Sequence, residues 1–336
     1  MKPAPRNCWL LLLLAVGLLI SGCGRGRGRV HEIAYVSASQ AILRDQVAAV
    51  YTKTGVVKNG DAVQVLERER RFARVRTASG VEGWIEQRAL VTKQVYDGFQ
   101  KLAEQEQNAP VQATGVTRND TNIHLDPGRD TEHLYQLDQG SKVSILKRAS
   151  SEKIVPGGPA RPISAEKQGP SKPVMEDWWL IRDARGHLGW VLARMMDLDV
   201  PLEVAQYAEG QRIVAFFVLD QVPDGDRKVS QYLLLLTEPK DGLPFDFNQI
   251  RVFTWNVKRH RYETAYRERN LNGALPAKVS QESFEKEGNL PVFVLRVKDD
   301  SGNVLERKYK LNTPIVRRVY APGEEPQRPV ARKKRR

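Results

Sequence analysis

Thiols are scarce in this chain. Its 336 residues hold two cysteines, Cys8 and Cys23, both near the amino terminus. No disulfide framework can brace such a sequence, so its domains must rest on packed apolar cores. Histidine is also sparse: His31, His124, His133, His187 and His260 are the full set. None pairs with another at a metal-ligand spacing on a shared element, and no cysteine remains to complete a zinc site. Neither a metal nor a cofactor is expected. No Gly-x-Ser-x-Gly elbow marks a serine hydrolase. Asp224-Gly225-Asp226 begins like a calcium loop but lacks the later ligands, and reads as a turn. Long apolar runs are missing too. The run over 8–20 has 13 residues, against about 20 for a helix that spans a bilayer.

That short run has its own meaning. Lys2 and Arg6 precede it and small residues follow it, as in a secretion signal. It ends in Ile20-Ser21-Gly22-Cys23, which resembles the lipobox of bacterial lipoproteins: aliphatic, small, small, cysteine. The resemblance implies removal of a signal peptide over 1–22 and acylation of Cys23. Several acyl chains give stable anchoring where one is marginal, since each buried CH₂ contributes about 0.8 kcal/mol. The alternative is an ordinary cleaved signal with an incidental cysteine. Gly24 stands where an Asp would direct retention, so the resemblance points to the periplasmic face of the outer membrane.

Acidic residues are outnumbered. Formal net charge is +13, with Lys and Arg at 53 against 40 Asp and Glu. Arg25, Arg27 and Arg29 lie in a tether over 23–32, and a tail over 323–336 ends in Arg332, Lys333, Lys334, Arg335 and Arg336. Behind an export signal, such charge faces anionic headgroups or envelope polymers rather than nucleic acid. The tail also fits a merely solvated, disordered segment.

Two stretches repeat. Gly60 corresponds to Gly140, Val63-x-Val65-Leu66 to Val143-x-Ile145-Leu146, and Gly80-x-x-Gly83-Trp84 to Gly186-x-x-Gly189-Trp190. The second copy carries an insertion over 149–174, rich in Pro, Gly and Ser, which reads as a long exposed loop. Each copy alternates apolar and polar residues between Gly-bearing turns, the mark of short strands. The order of motifs resembles the bacterial SH3 domain, a small β-barrel. Ala41-Ile42-Leu43-Arg44 and Asn122-Ile123-His124-Leu125 stand for its early strand, although copy one lacks the family's Asn and copy two its Arg. The resemblance covers 33–92 and 111–200. It implies binding of wall peptides or other peptide segments, or a spacer role. Tyr35, Tyr51, Tyr135 and Trp179 are expected to be exposed and are candidate groove aromatics, and Trp84 and Trp190 read as packing residues. The glycine before each tryptophan fits either a positive-φ turn or a close strand approach.

Between the copies, over 93–110, Val95, Phe99 and Leu102 recur at helical spacing, which predicts an amphipathic linker helix. Over 201–322 the dense runs at 212–219 and 230–238 read as buried strands. Turns at Lys258–His260 and at Asp300-Ser301-Gly302-Asn303 predict two hairpins. About seven strands result, as a sandwich or barrel. His260, flanked by Trp255, Arg259, Arg261 and Tyr262, forms a basic-aromatic tip. It fits either a solvated turn or a site for an anionic or sugar polymer.

The expected protein is therefore mainly β: two SH3-like barrels and an antiparallel C-terminal domain. Enzymes that accompany such barrels commonly use a cysteine nucleophile, and lipidation of Cys23 would leave none. The leading expectation is a non-catalytic, lipid-anchored envelope protein that binds peptidoglycan or envelope proteins. The alternatives are a hydrolase of unrecognised type in the last domain, or an assembly scaffold.

Overall fold

The computed structural model describes residues 32–154 and 173–320. Cys23, the tether, the tail over 323–336 and most of the insertion lie outside these residues. The fold is mainly β, in three antiparallel seven-stranded sheets.

The first sheet holds β1 (Glu32–Val36), β2 (Gln40–Arg44), β3 (Lys53–Lys58), β4 (Ala62–Glu69), β5 (Phe72–Thr77), β6 (Glu82–Glu86) and β7 (Leu90–Thr92). A helix, α1 (Lys93–Gln105), leads to the second. That sheet holds β8 (Ala113–Thr117), β9 (Thr121–His124), β10 (His133–Leu137), β11 (Lys142–Glu152), β12 (Met175–Asp183), β13 (Leu188–Leu192) and β14 (Met196–Leu198). The strand orders are β3-β2-β6-β5-β4-β1-β7 and β10-β9-β13-β12-β11-β8-β14. These are one order written twice, so the sequence repeat is a repeat of topology. Even the contact between the early strand and the Gly-Trp strand recurs, with Arg44 opposite Trp84 and His124 opposite Trp190.

The repeated glycines divide into two kinds. Gly60, Gly80, Gly140 and Gly186 sit in turns at φ of 80–88°, where a Cβ is disfavoured. Gly83 and Gly189 instead let two strands approach. A Cβ on Gly83 would stand 2.8 Å from Leu43 Cβ, and one on Gly189 would stand 2.7 Å from the His124 carbonyl oxygen.

The first residues of the insertion belong to a strand. β11 runs to Glu152 and β12 begins at Met175, so positions 149–152 extend the hairpin rather than open a loop. The extension is gripped by the last domain. Asp177, 1% exposed, accepts from Arg148 and Ser150 of the hairpin, and from Arg212 and the Gly242 N–H beyond it. Burial opposes its charge, but these donors outweigh burial and hold its carboxyl below the usual range.

A short helix, α2 (Leu202–Ala205), precedes the third sheet. This holds β15 (Arg212–Asp224), β16 (Arg227–Thr237), β17 (Phe247–Asn256), β18 (Arg261–Phe284), β19 (Gly288–Lys298), β20 (Val304–Asn312) and β21 (Ile315–Val319), paired in chain order. The hairpins at 258–260 and 300–303 form as the turn residues predict. Side chains from β15, β16, β17, β19 and β20 meet in one core, so the sheet curls around it. Its edge strands β15 and β21 do not pair, which leaves the curl open. The Leu233–Leu236 run shows why the apolar stretch lacks alternation. Leu233 and Leu235 enter the core shared with the second barrel, while Leu234 and Leu236 pack on the other side with Val204 of α2. Both faces are covered, so every position is apolar.

Helix α1 is a joint as well as a linker. Phe99, 1% exposed, inserts into the second barrel's core, and Tyr96 stacks on Tyr35 of the first at 3.9 Å. Burying Phe99 contributes roughly 1.5–3 kcal/mol to this docking.

Candidate functional site

The tip of the first barrel gathers cations around two aromatic rings. Arg44 ends β2, and its guanidinium lies 4.2 Å from the Tyr51 ring centroid and 5.2 Å from that of Phe72. Glu86, at the end of β6, approaches Arg44 at 3.6 Å and Arg88 at 2.6 Å. Arg70 and Arg71 form the β4–β5 turn, with Arg70 at a left-handed φ of 51°. Gln87 pins that turn against the tip: its N–H donates to the Arg71 carbonyl at 2.8 Å, and its Nε2 donates to those of Arg70 and Phe72 at 3.1 and 2.9 Å. Arg44, Arg70, Arg71, Phe72, Glu86, Gln87 and Arg88 line the resulting groove.

Four guanidiniums thus face one carboxylate. The contrast with the neighbouring face is sharp. Arg74 and Arg76 are paired there to Glu82 at 2.9 and 2.6 Å, and hydrogen bonds from Arg76 first, then Arg74, hold that carboxyl low. Arg70 and Arg71 form no ion pair among the described residues. A guanidinium stacked on a ring keeps its in-plane N–H groups available to a carboxylate or phosphate. The groove can therefore bind anions with defined orientation, and its charge raises the arrival rate of anionic partners.

A second cleft of about 490 Å³ continues from the same side chains. Arg44, Glu86 and Arg88 form one wall and Asn122, His133 and Gln136 of the second barrel the other. Exposed Ile42 lies in it. The trough between barrels is thus polar and basic at one end and partly apolar along its length.

The four candidate aromatics do not converge. Tyr51 alone belongs to the basic tip. Tyr35 is half-buried against Tyr96. Tyr135 is 7% exposed, stacked on His187 at 3.8 Å and capped by Phe99. Trp179 is 2% exposed. The expectation that all four are exposed is corrected for Tyr135 and Trp179: Phe99 of α1 covers the first, and the second lies in a core that continues into the last domain. Trp190 packs under α1 beside Leu102, as a packing residue should, and Trp84 is half-buried. Arg70, Arg71 and Arg88 escaped the sequence reading, in which Phe72 stands only for the aromatic position of the SH3-like barrel and not for a site residue. The signal was present in the run of basic residues just before Phe72, since a turn beside the barrel's aromatic position must project its charges at that ring.

Other titratable groups are tied into the framework. His124 faces Trp178 and His133, with ring centroids 5.2 and 5.5 Å away, and its Nδ1 lies 3.1 Å from Thr131 Oγ1. Burial, then the neighbouring His133, push its pKa down to about 4. His187 contacts Asp183 at 2.9 Å. At the hairpin tip His260 contacts Asp224 at 3.1 Å, while Arg227 pairs with the same carboxylate and lies over the Trp255 ring. The tip is therefore bound to the neighbouring β15–β16 turn. Among the described residues no cluster of three or more His, Cys, Asp or Glu is placed to hold a metal ion, and no helix is long and apolar enough to cross a membrane.

Residues 39–91 match the family model of the bacterial SH3 domain. The basic tip lies within that span, from Arg44 to Arg88. No curated protein matches the chain. Solved structures give distant likenesses. An NlpC/P60 family protein from Bacillus cereus is 9% identical over 56% of this chain and 65% of its own, with a TM-score of 0.23. This chain thus spans 65% of that protein's length. NlpC2 from Trichomonas vaginalis is 13% identical over 83% and 97%, with a TM-score of 0.18.

Proposed function

We propose that the protein is a non-catalytic envelope binder, held to the periplasmic face of the outer membrane through lipid on Cys23. Its first barrel takes carboxylate-bearing wall peptides or acidic protein segments in the groove around Arg44. The observation that carries this reading is the excess of guanidiniums over carboxylates at the tip of the SH3 domain, with Arg44 pre-oriented between Tyr51 and Phe72. The matching topology of the second sheet supports reading it as a second SH3-like barrel. There the Arg44 position is His124, tucked beneath Thr131 and Trp178, so the second copy serves packing and spacing. Absence of a thiol from the lipidated chain supports a binding rather than a catalytic role.

The test is retention on purified sacculi across a salt series, beside a control protein of equal net charge. Retention above the control that weakens in Arg44→Ala supports the reading. Retention equal to the control removes wall binding from it.

A further inference from the structure

The last domain carries a cleft of a different character. It opens where one end of β16, β17 and β18 meets the segment before β15, and has a volume of about 300 Å³. Glu209 and Glu238 supply two carboxylates, Arg251 and Arg269 two guanidiniums, and Gln249 and Asn270 two of the side-chain amides. Among the described residues no aromatic or aliphatic side chain lines it. Its formal charges cancel, unlike those of the groove on the first barrel.

The cleft is built, with strain and unmet hydrogen bonds at its wall. Gln249 is 6% exposed; its Oε1 accepts from Arg269 at 3.0 Å, while its Nε2 has no partner among the described residues. Arg251 is 1% exposed. It donates to the Tyr207 carbonyl and to Glu209, yet its Nε has no partner among the described residues. Buried polar groups are nearly always satisfied. Two orphaned donors on one wall ask for an acceptor from outside. The backbone is bent to the same place. Phe247 pairs with Gly273 and Gln249 with Arg269, so β18 bulges over 270–272. Asn270 in that bulge and Glu209 opposite both hold left-handed φ, at 59° and 52°. Bulges of this kind re-aim side chains at sites.

We propose that this cleft binds a neutral N-acylated saccharide unit. A ligand bearing net charge would meet as much repulsion as attraction, and an apolar one would find no surface to cover. A sugar ring offers hydroxyls that both donate and accept, matching the mixed amides, carboxylates and guanidiniums. An acyl-amide carbonyl supplies the acceptor that Gln249 Nε2 lacks. The site stands apart from the groove of the first barrel and does not depend on it.

The probe is chitotetraose, with cellotetraose as the analogue lacking acetamido groups, observed by saturation-transfer NMR on the full chain in detergent. We expect chitotetraose to bind with a Kd on the order of 0.1–1 mM, and cellotetraose several-fold more weakly. Gln249→Glu keeps the acceptor for Arg269 but replaces the orphaned donor, and should weaken binding about tenfold, or ~1.4 kcal/mol. Asn270→Gly keeps the left-handed backbone, removes the amide, and should weaken it about threefold. Circular dichroism and the melting profile report whether each variant is folded. Arg44→Ala should leave chitotetraose binding unchanged. No binding, equal binding of the two sugars, insensitivity to both cleft substitutions, or loss in Arg44→Ala would each overturn the proposal.

Discussion

Gly189 leaves no room for a Cβ: one placed there would stand 2.7 Å from the carbonyl oxygen of His124. The equivalent Gly83 faces Arg44, whose carbonyl oxygen would stand 3.1 Å from its Cβ. In both barrels the early strand crosses directly over the glycine that precedes the tryptophan. Gly189→Ala should therefore cost about 1–3 kcal/mol through forced backbone shifts, and Gly83→Ala should act in the same direction. Urea unfolding checks this; midpoints equal to the parent protein would show that the strands can separate at no cost.

Arg44 should dominate recognition by the first barrel. Arg44→Lys keeps the charge but loses the planar stack between Tyr51 and Phe72. We expect it to weaken sacculus retention by about half as much in free energy as Arg44→Ala, whose loss should be on the order of 1–2 kcal/mol. The Arg70→Glu, Arg71→Glu double variant should flatten the salt dependence. An unaltered salt profile would place binding elsewhere.

Acid should loosen the second barrel through His124. Its pKa is about 4 in the folded chain, against about 6.5 when unfolded. Between these values the unfolded state binds more protons, so stability falls as pH drops from about 6.5 toward 4. Replacing His124 with Gln should remove this part of the slope. Melting temperatures of the two proteins from pH 7 to pH 4 provide the check, and parallel curves would refute the assignment.

Asp177 fastens the second barrel to the last domain. Asp177→Asn takes from Arg148, whose side chain is 5% exposed, the nearer and more buried of its two carboxylate partners. Breaking such a buried pair should cost about 3–5 kcal/mol. A loss below 1 kcal/mol in chemical denaturation would mean that Asp246, 3.2 Å from Arg148, suffices alone.

Anchoring makes a separate prediction. Cys23→Ala should shift the protein from the membrane fraction to the soluble one, or leave its signal uncut. Unchanged fractionation and processing would count against lipidation.

Much of this architecture could be read from residue pattern. Gly60 and Gly140 mark corresponding turns, and the Gly-Trp pairs mark corresponding crossings, because backbone constraints leave direct traces in glycine. The strands around Val214 and Leu233 were legible as dense apolar runs, and the one around Phe253 by its alternation up to the turn at 258–260. Other features depended on tertiary partners. The extension of β11 to Glu152 has no apolar periodicity of its own; Arg148 and Asp177 hold it through contacts with residues 212 and 242–246. The length of β18 was hidden because its middle bulges and alternates poorly. Burial of Tyr135 and Trp179 came from elements packed on the outside of a barrel, which alternation within a strand cannot report. The polar cleft draws on positions from 209 to 270, each unremarkable until the sheet curls.

The helical joint has a further consequence. With Phe99 sunk in the second barrel, Tyr96 stacked against the first, and Asp177 binding the second barrel onward to the last domain, packed contacts hold both joints among the described residues. A flexible linker would let two weak sites find any pair of ligands within reach, and gain avidity from proximity alone. A stiff arrangement behaves as a ruler. Were both proposed sites to take segments of one polymer, it would reward a repeat that matches the distance from Arg44 to Gln249 and gain little from any other.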